Sequence, residues 1–178
     1  MLPEFREAEP VLPQNKVLVY ENAMAKICES RERGLRVILA QGVFDIVHMG
    51  HIEYFREARR AGDLLFVGIE NDNSVRMNKG EKRPFNNLDD RLDLLSELET
   101  VDYVFGFNNE PIYSDSKAFD MYIGRYKDLN PNFIAVSSWD PNLDLKRRQA
   151  EEAGVGIVLI NHGRSNSSTR LLEFIGYE

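Results

Sequence analysis

Val37-Ile38-Leu39-Ala40-Gln41-Gly42-Val43-Phe44-Asp45-Ile46-Val47-His48-Met49-Gly50-His51 is the stretch that decides the fold. Its first four residues are aliphatic and partly β-branched, as expected for a strand buried on both faces of a parallel sheet. Gln41 to Asp45 then turn the chain, and Gly42 lets the backbone approach a ligand closely. Beyond His51, the residues Ile52, Phe55, Ala58 and Ala61 recur at three-residue intervals and form one apolar stripe of a helix. The second histidine therefore sits in the first turn of a helix. Unpaired N–H groups and the positive end of the helix dipole make that position an anion site.

Outward from this junction, strand-like runs alternate with helical ones. The strands are expected at 36–41, 63–69, 101–105, 132–137 and 155–160, and the helices at 19–33, 51–61, 86–99, 116–127, 143–153 and 168–176. Such alternation implies βα units, hence a Rossmann-like five-stranded parallel sheet with helices on both faces in a single α/β domain. Right-handed crossovers leave a ligand crevice at the carboxyl ends of the strands. Residues 1–15, with Pro3, Pro10, Pro13 and many acids, read as an extended N-terminal arm ahead of a domain over 16–178.

Composition narrows the function classes. A chain of 178 residues, 43% hydrophobic and 29% charged, suits one globular domain. No apolar run approaches the roughly 18 residues of a membrane span, and the start Met1 to Glu7 lacks the basic and apolar regions of a signal peptide, so the cytoplasm is expected and no membrane partner. The net charge of −7 argues against nucleic acid as a partner. Arg76, Lys79, Lys82, Arg83 and Arg91 nevertheless cluster, which suits a polyphosphate, although Lys82 alone reads equally as part of a solvated loop. Cys28 is the only cysteine, cannot form an internal disulfide, and falls in a helical pattern where ordinary packing is expected. No G-x-G-x-x-G or G-x-x-x-x-G-K-[ST] occurs, which disfavours a dinucleotide oxidoreductase and a P-loop.

The stretch Gly42 to His51 resembles the G-x-F-D-x-x-H-x-G-H signature of the HxGH nucleotidylyltransferase superfamily, the cytidylyltransferase-like proteins. Gly62-Asp63 before the second strand, Lys79-Gly80 followed by Arg83-Pro84, Asp90-Arg91 with Leu94-Leu95, Val101-Asp102-Tyr103-Val104, and Ser167-Ser168-Thr169-Arg170 are similar to further elements of the family in the same order. The resemblance is closest to the adenylyltransferase domain of bacterial ADP-heptose synthases. It implies transfer of a nucleoside monophosphate from ATP or CTP to a small phosphorylated substrate, most simply a sugar 1-phosphate, with release of pyrophosphate. Magnesium would be carried mainly on the triphosphate, without a protein metal site, and the protein is expected to be a homodimer. Ser137-Ser138-Trp139-Asp140-Pro141 stands where that branch has K-G-G-D-Y, so a cytidylyltransferase acting on glycerol 3-phosphate or another phosphorylated or phosphonylated alcohol remains the alternative.

On this resemblance His48, His51, Lys79 and Arg91 are the catalytic residues, with Arg91 on the β- and γ-phosphates. Gly42, Val43, Phe44, Gly50, Ser167, Ser168 and Thr169 bind the nucleotide, and Asp45, Asp72 and Trp139 face the substrate. Each has a plainer reading. The histidines could be a metal pair, but zinc wants three or four protein ligands and only His162 remains. Phe44 could simply pack, Asp45 could cap its turn, Lys79 could be solvated, and Arg91 could pair with Asp90 on the surface. Asp72 could belong to a turn over 71–74, one of Ser167 to Thr169 could be an N-cap, and Trp139 could stack on a base or pack. A metal-dependent hydrolase and a non-catalytic nucleotide sensor are the readings from other classes.

Overall fold

The structure is a computed structural model that describes residues 12, 15–109, 111, 112, 115 and 117–161. The chain runs β1 (Val17–Leu18), α1 (Tyr20–Glu32), β2 (Val37–Gly42), α2 (Met49–Arg60), β3 (Leu64–Ile69), α3 (Asp72–Lys79), α4 (Leu88–Ser96), β4 (Tyr103–Gly106), α5 (Lys117–Leu129), β5 (Phe133–Ser137), α6 (Leu143–Ala153) and β6 (Gly156–Ile160). All strand pairs are parallel, in the order β1-β4-β3-β2-β5-β6. The strand order reverses at β2, which pairs with β3 on one side and β5 on the other. A crevice opens at such a switch point, beyond the carboxyl ends of the strands.

The stripes of β2 explain the layering. Val37 and Leu39 face a core with Tyr20, Ala23 and Ile27 of α1, Tyr126 and Leu129 of α5, and Ala150 of α6. Ile38 and Ala40 face the other core, with Tyr54, Phe55 and Ala58 of α2 and Leu95 of α4. Side chains alternate along a strand, so a run with no polar residue needs a hydrophobic layer on each side. Each such aliphatic side chain contributes about 1.5–3 kcal/mol by leaving water.

Several polar residues of the sequence elements serve the strand starts. Asp63 Oδ2 accepts the Arg36 N–H at 2.7 Å, Asn132 Oδ1 accepts that of Val37 at 2.8 Å, and Asp102 Oδ2 accepts that of Leu65 at 2.7 Å. These part-buried N–H groups would otherwise lack an acceptor on the protein. Arg59 pairs with Asp102 at 2.9 Å, yet burial still raises the Asp102 pKa above the usual carboxylate range. The aspartates of the Gly62-Asp63 and Val101-Asp102 elements are therefore architectural.

Two features depart from the expectation. The sheet has six strands, because the two-residue β1 pairs with Val104 and Phe105 at the edge, and a run that short carries no readable alternation. The turn expected over 71–74 is the start of α3. Asn71 Oδ1 caps it by accepting the Ser74 N–H at 2.9 Å, and Val75 is its only buried apolar residue, so there is no stripe to read. Most of the 1–15 arm and the final helix over 168–176 lie outside the described residues.

Candidate active site

At the end of β2, Gly42 is the residue that lets the chain fold over itself. A Cβ there would meet Cζ of the Phe44 ring at 2.9 Å. Phe44 itself adopts φ 49°, a left-handed conformation costly for a non-glycine residue. Its ring is buried against Phe55, with centroids 5.0 Å apart, and meets the His51 ring edge-on at 5.4 Å. The Phe44 side chain thus props His51 and is taken up by packing.

His48 precedes α2 in extended conformation, and His51 lies in the first turn three residues on. The two rings stack with centroids 3.8 Å apart at 23°. The backbone N–H of His48 donates to His51 Nδ1 at 3.4 Å. A neutral imidazole accepting at Nδ1 carries its proton on Nε2, so this bond selects the tautomer that donates from the far edge of the ring. Gly50, buried between the histidines, keeps this turn of the helix compact.

Asp45, expected to face substrate, is instead 1% exposed beneath the turn. Its carboxylate accepts from Arg83 Nε at 3.0 Å and from the backbone N–H groups of Phe85 and Asn86 at 3.0 and 2.9 Å. It clamps the histidine loop to residues 83–86. Arg91, expected to reach the β- and γ-phosphates or to pair with Asp90 on the surface, is likewise 1% exposed. Its Nη1 donates to the carbonyls of Val43 at 2.7 Å and Glu70 at 2.9 Å, Nη2 to Asp72 Oδ1 at 2.6 Å, and Nε to Asn86 O at 3.1 Å. Burial pulls this guanidinium below its usual pKa, and Asp72 opposes the shift. Arg91 is a positioning residue that fixes the turn from below. Asp72, at the start of α3, pairs with Arg91 through Oδ1 while its side chain stays 26% exposed.

A cavity of about 730 Å³ extends from Gln41, Gly42 and Val43 to α5 and α6. Lys79, the last residue of α3, lines it together with Glu70, Asp115, Tyr122, Asp140, Lys146 and Gln149. Trp139 is 52% exposed beside the lining residues Asp140 and Pro141. The structure therefore brings Gly42, Val43 and Lys79 to one cavity and stacks His48 on His51 at the adjoining helix start. Ser167, Ser168 and Thr169 lie outside the described residues. Among the described residues no group of three or more His, Cys, Asp or Glu side chains is placed to hold a metal ion. No described helix is long and apolar enough to cross a membrane.

Sequence reasoning missed Glu70 and Arg125. Glu70 directly follows β3, and its carboxylate takes both Arg125 Nη1 at 2.6 Å and Nη2 at 2.9 Å beneath the cavity. Burial works against the charged Arg125, but the hydrogen bonds and charge of Glu70 outweigh it and raise its pKa. The guanidinium also lies 3.8 Å from the centre of the Phe107 ring. One signal was present: Arg125 falls on the stripe of Tyr122, Tyr126 and Leu129, and a charge on a buried stripe demands a partner.

The cytidylyltransferase-like family matches residues 39–171. Bifunctional protein HldE of Yersinia enterocolitica is 44% identical over 150 residues, 84% of this chain and 29% of that protein. HldE of Wolinella succinogenes is 40% identical over 107 residues, 60% of this chain and 23% of that protein. The chain thus spans less than a third of these relatives. Among solved structures, a lipopolysaccharide core biosynthesis protein from Thermoplasma volcanium superposes with TM-score 0.57 at 26% identity, over 75% of this chain and 100% of that one. Pantoate-β-alanine ligase from Francisella tularensis shares the fold, with TM-score 0.65 at 16% identity over 88% of this chain and 72% of that one. With the glycine turn, the stacked histidines and the switch-point cavity in place, the match over 39–171 shows that the chain belongs to the cytidylyltransferase-like family.

Proposed function

We propose that this protein is a nucleotidyltransferase that moves the nucleoside monophosphate of ATP onto a small phosphorylated acceptor, a sugar 1-phosphate, with release of pyrophosphate. The observation that carries this reading is the His48–His51 stack at the N-terminus of α2, which follows a glycine turn that itself lines a cavity large enough for a second substrate. A phosphate oxygen of the acceptor attacks the α-phosphorus, the bond from that phosphorus to the β-phosphate bridging oxygen breaks, and pyrophosphate leaves. No covalent intermediate with the protein is required, so catalysis reduces to positioning and to stabilising charge on oxygen.

The roles of these residues rest on the family resemblance, supported for the described ones by the geometry of the turn and the cavity. Main-chain N–H groups of the 42–44 turn and the start of α2 would cradle phosphate, and His48 and His51 would donate to the oxygens on which charge develops. Lys79 would neutralise phosphate from the cavity side, and Ser167 to Thr169 would contribute hydroxyls. Arg91 and Asp45 would act through the loop they hold. Magnesium binds hard oxygen ligands and needs few from the protein, so the phosphates would carry most of its coordination and the ion would add charge neutralisation.

HldE relatives favour ATP and a sugar phosphate, heptose 1-phosphate above all, whereas Trp139 suits stacking on a base of either kind. Pyrophosphate release measured with ATP and CTP in equal amounts, against heptose 1-phosphate, other sugar 1-phosphates and glycerol 3-phosphate, tests the reading. Preferential CMP incorporation would overturn the donor while leaving the reaction class. Absence of pyrophosphate release with every pair would overturn the reaction.

A further inference from the structure

The two walls of the cavity carry glutamines that the phosphate chemistry does not use. Gln41, the last residue before the glycine turn, donates from Nε2 to the hydroxyl of the buried Tyr126 at 2.6 Å, while its Oε1 is buried with no hydrogen-bond partner. The Tyr126 hydroxyl can donate as well as accept, so turning the amide over would only exchange which end is satisfied. One half of the carboxamide lacks a partner either way. Gln149 of α6 is a second carboxamide, 2% exposed, lining the same cavity. A buried polar group without a protein partner is rare in a folded protein, and beside a cavity it is one that a bound hydroxyl can complete.

The remaining lining indicates what that ligand is. Asp115 and Asp140 line the cavity with Gln41 and Gln149, so its wall carries several oxygen acceptors, although Asp140 already accepts from the Asn142 N–H and Lys146 and Asp115 from the Lys117 N–H. Lys146 is tied to Asp140 at 2.6 Å and the Glu70 carboxylate to Arg125, which leaves little net positive charge for a triphosphate inside. Phe119 and Tyr122 of α5 add aromatic surface. Acceptors in number, two carboxamides and aromatic rings match a neutral body bearing several hydroxyls, each hydroxyl donating to the wall and its C–H face lying on a ring. They disfavour an acceptor with its own carboxylate, which the wall would repel.

We infer that Gln41 and Gln149 are specificity residues for a polyhydroxylated acceptor, whose body lies between α5 and α6 with its phosphate toward Gly42 and Lys79. This rests on the nucleotidyl-transfer reading for the direction of the phosphate, and binding can be measured without turnover. Calorimetric titration of the full chain with mannose 1-phosphate, heptose 1-phosphate, 3-phosphoglycerate and phosphoethanolamine, each with a non-hydrolysable ATP analogue present, is the experiment, repeated on Gln149→Leu and Gln149→Glu. The expected result is binding of a sugar 1-phosphate in preference to the other two, weakened roughly fivefold to tenfold in Gln149→Leu, the scale of one hydrogen bond, and less so in Gln149→Glu, which keeps an acceptor. Affinity for the ATP analogue alone stays within twofold. If a sugar phosphate binds in this pattern but no pyrophosphate is ever released, the reaction is wrong and the cavity assignment stands. Weakening of the ATP analogue instead, unchanged sugar-phosphate affinity in Gln149→Leu, tighter binding of 3-phosphoglycerate, or no binding of either sugar phosphate to wild type each overturns the inference.

Discussion

Asp45→Ala would remove the carboxylate that pairs with Arg83 at 3.0 Å, where the Arg83 side chain is 3% exposed beside a fully buried Asp45 side chain. Breaking a buried ion pair by removing one partner costs about 3–5 kcal/mol. The Phe85 and Asn86 N–H groups also lose their acceptor, but both bonds are only part-buried, so water can replace it and each adds about 1 kcal/mol or less. At roughly 2–4 °C per kcal/mol for a domain of this size, the melting temperature should fall by about 6–28 °C, read by circular dichroism or scanning calorimetry. The double variant Asp45→Leu/Arg83→Met separates a charge effect from a packing effect. Replacing both members of a buried pair with apolar groups removes the stranded charge, so it should lie well above the sum of the single losses. A fall of under 2 °C for Asp45→Ala, or a double variant as unstable as that sum, would refute the clamp.

His48→Ala and His51→Ala should each lower turnover by roughly 10²–10³, the effect of losing one donor to a developing oxyanion, with melting temperatures within a few degrees of wild type; wild-type rates in both would remove their assigned roles. Gly42→Ala places a methyl 2.9 Å from the Phe44 ring, which must yield together with its contact to His51. Overpacking of this kind costs about 1–3 kcal/mol, and turnover should drop as well; a variant equal to wild type in both would show that the ring moves freely. Burial raises the pKa of both Tyr54 and Tyr126. The folded state then holds these phenolic protons more tightly than the unfolded state, so their stabilisation is complete below about pH 10 and is lost as pH rises above it. Melting temperature against pH should fall on the alkaline side, and less steeply in Tyr54→Phe; an identical slope in that variant would contradict the assignment.

The strands and the histidine turn were legible because they are local. An unbroken aliphatic run followed by Gly42, and two histidines three apart at a helix start, leave few alternative structures. α3 was not legible, because a helix at the crevice edge buries only Val75 and Ser74 and carries no stripe. The positions of Arg91 and Arg125 were half legible. Arg91 falls three residues after Leu88 and four before Leu95, on the buried side of α4, whereas adjacency to Asp90 in the sequence does not place the two side chains on one face. What periodicity cannot supply is the partner. The carbonyl of Val43 and the carboxylates of Asp72 and Glu70 come from strand ends far along the chain, and only the parallel sheet brings them within reach.

The Arg91 hub also governs when the site can exist. Its Nη1 bonds Val43, 48 residues away along the chain, and Glu70, 21 residues away. Until β2, β3 and α4 have docked, Nη1 has neither carbonyl within reach and the turn after β2 lacks this anchor. The crevice floor is therefore one cooperative unit with the central strands. Amide protons of β2 and β3 next to these carbonyls should exchange with solvent only through global opening, while the exposed rim around Trp139 exchanges through small local fluctuations. A ligand arriving at the turn thus meets a surface already set by folding, and its binding energy goes into the bonds it makes there.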